Sequence, residues 1–184
     1  MLQRIRLALQ DDLTGGNIGS GGNAVEVDET FIGGKSRNMH RSRRERIKKV
    51  LNTGLSGGAG KSIVVGMLER GKKVRATVVP DLTADSMQES ILGDVERGAT
   101  IDSDEFAGTW RMDDRYVHAV VNHLEKYVDG QVHTNGMENF WSLLKRTIGG
   151  TYVSVEPFHL FRYVDEQAFR FNNRKDDRQG YDRQ

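Results

Sequence analysis

The chain has 184 residues, 36% of them hydrophobic and 29% charged, and a formal net charge of +1. That length gives room for one domain with a proper core and hardly for two. No apolar run reaches the roughly 18 residues of a membrane span, and no signal-type apolar stretch follows Met1. The absence of cysteine excludes a disulfide framework and a zinc–thiolate site; with no membrane partner expected, a cytoplasmic location is the default.

In chain order, Leu2, Ile5, Leu7 and Leu9 among Arg4 and Arg6 make a helix-like fragment too short to be stable alone. Gly15, Gly16, Gly19, Gly21 and Gly22 then read as a flexible linker, so residues 1–23 are expected to be the severed end of something upstream. Strands are expected over 24–32, 62–69, 74–79, 99–103 and 117–122. In the first, Val25 and Val27 alternate with Glu26 and Asp28; Gly71 lies between the second and third, as a hairpin turn requires. A helix is expected over 84–95 and another over 156–173, where Pro157 near the first turn precedes Phe158, Phe161, Val164, Ala168 and Phe171 at three-to-four spacing. From Lys175 the sequence is a polar tail. The whole reads as a mixed α/β sheet, five strands flanked by helices, over residues 24–174.

Charge is unevenly spread. Lys35, Arg37, Arg41, Arg43, Arg44, Arg46, Lys48 and Lys49 stand against the single acid Glu45, leaving the remainder of the chain acidic. A basic loop on an acidic body is a footprint for a polyanion; a solvated loop without a partner is the plain alternative. Gly60-Lys61-Ser62 imitates the end of a phosphate-binding loop, but Leu55 stands where that motif needs its first glycine, and the residues that follow are strand-like.

The segment His133 to Arg146 reads as one helix with two faces. At about 100° per residue, Met137, Phe140, Trp141, Leu144 and Ile148 fall together. Glu138 lies opposite, and Lys145, seven residues on, returns to within roughly 20° of it. A carboxylate and an ammonium therefore share one face. The plain alternative is a capping box between Asn135 and Glu138. Upstream stand two more acids, Asp28 late in the first strand and Asp104 after the fourth. Each has an ordinary structural reading, as a turn residue or a helix cap. Together they supply the oxygen donors that hard divalent cations prefer, and a two-ion site clamps the attacking and leaving oxygens of a phosphoryl transfer.

The longer words Val27-Asp-Glu-Thr-Phe-Ile-Gly-Gly-Lys35, Val64-Val-Gly-Met-Leu-Glu-Arg-Gly71, Val132-His-Thr-Asn-Gly-Met-Glu-Asn-Phe-Trp-Ser-Leu-Leu-Lys-Arg146 and Phe169-Arg-Phe-Asn-Asn-Arg174 closely resemble bacterial insertion-sequence transposases of the DDE superfamily. The resemblance is to the ISXO-like subgroup, whose signature is Asp, Asp, Glu or Asn, then Lys. It implies a ribonuclease-H-like fold, two Mg²⁺ or Mn²⁺ ions, and cleavage and strand transfer at the ends of a mobile element. Carried over by position, it implies Asp28, Asp104 and Glu138 as metal ligands and Lys145 as the lysine of the signature. Asp102, two residues earlier on the same strand face, competes for the second place, and Asn135 for the third. DNA contacts are expected from the basic run together with Lys145 and Arg146. The resemblance also implies a homo-oligomer on DNA, nucleoid-associated when bound. Such transposases usually carry an upstream DNA-reading domain, whose absence here is expected to limit activity. A non-catalytic DNA-binding remnant and a ribonuclease-H-like nuclease are the competing functions. His118, His123, His133 and His159 form no pattern that adds a second metal centre.

Overall fold

The computed structural model describes residues 16–34, 38–51, 58, 60–104, 117–121, 135–152 and 155–174. The strands are β1 (Val25–Ile32), β2 (Ser62–Glu69), β3 (Val74–Val79), β4 (Thr100–Asp104) and β5 (Val117–Val121), and the helices are α1 (Arg41–Leu51), α2 (Ala84–Asp94), α3 (Asn135–Arg146) and α4 (Leu160–Asn173). They form one five-stranded sheet in the order β3-β2-β1-β4-β5. The meander β1-β2-β3 is antiparallel, whereas β4 runs parallel to β1 and β5 parallel to β4. This is the mixed α/β sheet expected of a ribonuclease-H-like domain. Among the described residues no helix is long and apolar enough to cross a membrane.

Side-chain alternation divides the core into two layers. Val25, Val27, Val65, Met67 and Ile101 point to one face and meet Met87 and Ile91 of α2. That helix starts at Thr83, whose hydroxyl accepts the Ser86 N–H and satisfies a first-turn donor. The opposite face carries Ile32, Val64, Leu68 and Val74 under the apolar stripes of α3 and α4. Met137, Phe140 and Leu144 are fully buried there, and the Phe140 ring meets Phe171 edge-on with centroids 5.4 Å apart. Glu26 and Asp28 lie on this same covered face, so the first half of the strand, Val25 to Asp28, is covered on both sides.

Two closely packed glycines set how near α3 comes to the sheet. A Cβ on Gly66 would lie 2.6 Å from the Trp141 ring and inside the radius of the Met137 methyl. One on Gly136 would lie 2.8 Å from a Glu26 oxygen and collide with Leu68. At the sheet edge, the Asn172 side-chain amide accepts from Val74 N–H at 2.7 Å and donates to Val74 C=O at 3.1 Å, tying α4 to β3.

Three expectations need correction. The stretch over Gly16–Asn23 is no free linker. Ile18 is buried and bridges Val95, and Gly19, at φ +88°, passes so close to Ala99 that a Cβ would lie 2.7 Å from it. The basic run is no loop either, since from Arg41 onward it is helix α1. Asp104 does not follow β4 but ends it. Ile148 does join the apolar layer, but from a π-turn over Thr147–Thr151 after α3 has ended. The fragment before residue 16 and the tail after residue 174 lie outside the described residues.

Gly66→Ala should therefore destabilise the domain by about 1–3 kcal/mol through overpacking. Gly93→Ala, in α2 with open space around it, should stabilise by about 0.5–1 kcal/mol. Urea unfolding of the two variants beside the unsubstituted chain measures both; equal effects would mean α3 does not press on β2 as described.

Candidate active site

The site grows from the acids on the α3-covered face. Asp28 is half-buried, and its Oδ2 accepts the Trp141 indole N–H at 2.8 Å. Its Oδ1 accepts the Glu29 backbone N–H, also at 2.8 Å. The indole reaches Asp28 because it lies over Gly66, the residue paired with Asp28 across β1 and β2. The apolar stripe read from the sequence thus also supplies the donor that orients this carboxylate.

On the other side of β1, the parallel register sets Glu26 against Asp102 and Val27 against Ser103. Asp28 and Asp104 each stand one residue beyond the last of these pairs. Neighbouring strands lie about 4.8 Å apart, so the backbone brings the two aspartates to adjacent positions on one face. The Asp104 side chain lies outside the described residues, as does that of Asn135, the first residue of α3. Glu138 is exposed in the first turn of α3, three residues before Trp141. Among the described residues no group of three or more His, Cys, Asp or Glu side chains is gathered as a metal cage.

Asp102 and Glu26 have a different environment. Both are 1% exposed. Arg70, just past the end of β2, crosses β1 to reach them, with Nε 3.3 Å from Glu26 Oε1 and Nη2 2.7 Å from Asp102 Oδ2. The other Glu26 oxygen accepts the Met137 backbone N–H at 3.2 Å, which gives a first-turn donor of α3 its partner. Next to Arg70, Glu69 has its own partners. Burial pushes its carboxyl up, but hydrogen bonds from Lys72, Asn23 and the Gly19 backbone outweigh this and leave it below its ordinary pKa. The sequence reading missed Glu26 and Arg70. The signal was the repeated two-residue spacing, Glu26-Val-Asp28 on one strand and Asp102-Ser-Asp104 on its neighbour, which puts four acids on one face.

A family model of the ISXO2-like transposase domain matches residues 20–172. The chain belongs to this family. It is a DDE-superfamily insertion-sequence transposase catalytic domain, and its family acts on DNA by cleaving it, generally with divalent metal. A search of curated proteins found no match.

In this transposase domain two of the cationic groups named from the sequence, Arg43 and Lys145, line one cleft. Lys145, exposed near the end of α3, lines this cleft of about 540 Å³ together with Arg43 in the first turn of α1 and Asn38 and His40 before that helix. Val155, Glu156, Pro157 and Leu160 line the same cleft. Arg41 forms an exposed ion pair with Glu45 at 2.9 Å, and Arg46, Lys48 and Lys49 are exposed along the helix, with Arg44 half-buried. Arg146 is exposed and donates to Ser142 at 3.4 Å. Lys35 and Arg37, like His118, His123 and His133, are residues whose side chains lie outside the described part. His159 packs its ring 4.0 Å from that of Phe158.

Trp141→Phe keeps most of the ring's packing and removes the donor to Asp28. A hydrogen bond to a charged group contributes about 1.5–3 kcal/mol, so the variant should lose stability on that order in denaturant unfolding. In an Asp28→Asn background the same substitution should cost clearly less; an equal cost in both backgrounds would show that the indole contributes packing alone.

Proposed function

We propose that this transposase domain carries out metal-dependent strand cleavage and strand transfer at the ends of an insertion sequence, with Asp28, Asp104 and Glu138 holding two Mg²⁺ or Mn²⁺ ions. The observation that carries the reading is the parallel register of β1 and β4. It brings Asp28 and Asp104 to neighbouring positions on one face of the sheet, with Asp28 on the strand that α3, the helix bearing Glu138, packs against. The donor set fits, because all three groups are carboxylates and hard divalent cations take oxygen ligands. When bound, such a pair of ions activates the attacking oxygen and stabilises the leaving one.

The chain's own residues have distinct tasks in this reading. The Trp141 indole keeps the Asp28 carboxylate in one orientation, as fixed partners of a metal ligand do. Asp104 takes the second place in preference to Asp102, since Asp102 is buried and bound by Arg70. Glu138 takes the third in preference to Asn135 because its negative charge offsets that of the ions. Lys145 stands about 10 Å along the helix from Glu138, in the same cleft as Arg43. A compact ammonium on a long stem suits holding a phosphate of the DNA backbone beside the reacting bond. Helix α1 continues that cationic surface with contacts that are largely independent of sequence. The active form is a homo-oligomer bound to element ends and target DNA.

Nicking of supercoiled plasmid in Mn²⁺ tests the proposal. Asp28→Asn and Asp104→Asn should abolish nicking, and Lys145→Ala should reduce it while leaving Mn²⁺ binding intact. DNA binding without any cleavage by the unsubstituted chain would favour a binding remnant. Full activity of Lys145→Ala would return that residue to the ordinary surface.

Binding of the same DNA should weaken steeply with salt. Replacing Arg41, Arg43, Arg44 and Arg46 by Ala should flatten the slope of log K against log salt by about 0.9 for each phosphate that the helix no longer neutralises. An unchanged slope would show that α1 faces away from DNA.

A further inference from the structure

The acidic face holds two carboxylate pairs on the same two strands, and the Glu26–Asp102 pair carries a protein cation. Glu26 and Asp102 are partners in the β1–β4 register, and Asp28 and Asp104 stand two residues further along the same strands. To a divalent cation the two pairs offer the same chemistry, oxygen donors on adjacent parallel strands. The first pair is held by Arg70. Its guanidinium sits against Glu26 at 3.3 Å and Asp102 at 2.7 Å. The side chains of both acids are 2% exposed, and that of Arg70 is 28% exposed.

We propose that Arg70 is a positioning residue that excludes divalent cations from the Glu26–Asp102 pair and so confines them to the Asp28–Asp104 end of the face. The inference rests on the metal-dependent reading above. Two carboxylates set side by side out of water need donors or a cation that replace their hydration. A guanidinium suits that place for two reasons. It keeps its charge at any working pH, and its planar fork of N–H groups reaches acids on two strands at once. A metal ion would neutralise the pair equally well but would leave on dilution and would compete with the reacting site. Because the second Glu26 oxygen also holds the Met137 N–H, a cation settling at Glu26 would draw that carboxylate away from the start of α3. Glu138 follows Met137 directly, so the same displacement would disturb the third proposed ligand.

The test counts bound Mn²⁺ on the full chain by electron paramagnetic resonance at pH 8. Arg70→Gln should bind about one Mn²⁺ more per chain than the unsubstituted protein. Adding Asp102→Asn to it should return the count to the starting value. Arg70→Lys keeps the charge and guards against loss of folding in the Gln variant; it should show no extra ion. If Arg70→Gln, folded by circular dichroism, binds no extra Mn²⁺, the proposal is overturned. If it does not fold, an extra ion in Arg70→Lys would overturn it, and an unchanged count in Arg70→Lys with an added ion in Arg70→Ser would uphold it. The underlying reading fails separately. In that case Asp28→Asn would bind as many ions as the unsubstituted chain, whatever Arg70→Gln does.

Discussion

Helix α3 lies on a sheet face that carries acids, and the rest of the domain depends on how those acids are satisfied. A carboxylate covered by a helix loses its water, and each one needs replacement donors or a cation. Here the covering helix provides part of the supply itself. Its first-turn N–H goes to Glu26 and its Trp141 indole to Asp28. Arg70 adds the positive charge from the end of β2. The contact between helix and sheet is therefore apolar along one stripe and hydrogen-bonded along the other. An apolar stripe tolerates sliding, whereas directional bonds to two points on β1 fix both the position of α3 and its rotation about its own axis.

The two glycines make that arrangement possible. With any side chain at Gly66 or Gly136 the helix would ride higher, and the indole and the Met137 N–H would both fall short of their acceptors. Close packing and polar satisfaction are thus one requirement at this interface. The same rigidity suits a site whose ligands must stay in place while a long polyanion is exchanged.

Much of this was legible in the sequence. Strand-like runs, with period-two alternation plain in the first, located all five strands to within about a residue, and two of them, Ser62–Glu69 and Val74–Val79, at both ends. The stripe of Met137, Phe140, Trp141 and Leu144 located α3, because a buried helix face must repeat near 3.6 residues. Other features were not legible, for identifiable reasons. Arg41–Leu51 has almost no apolar stripe, only Ile47 and its neighbours Val50 and Leu51, so periodicity could not announce a helix there. Glycine content marked Gly16–Asn23 as a linker, yet Gly19 is there to permit a close approach, a role glycine shares with flexibility and which composition cannot separate. The Arg70 network joins β2, β1 and β4, residues 26, 70 and 102, and local pattern carries no information about such distant partners. Asp28, Glu138 and Lys145 stand out in the sequence by their order and by resemblance, while the oriented state of Asp28 needed the fold.

The clamp of Asn172 on Val74 has a consequence for how the sheet ends. β3 is an edge strand, and an edge strand offers outward N–H and C=O groups that invite another strand to dock. The Asn172 amide imitates one residue of such a strand, presenting an acceptor and a donor at the spacing a peptide would. A foreign strand approaching the start of β3 meets an edge already paired from within, by a residue of the helix packed beside it. The sheet is thereby closed to growth at that point without spending a sixth strand on it.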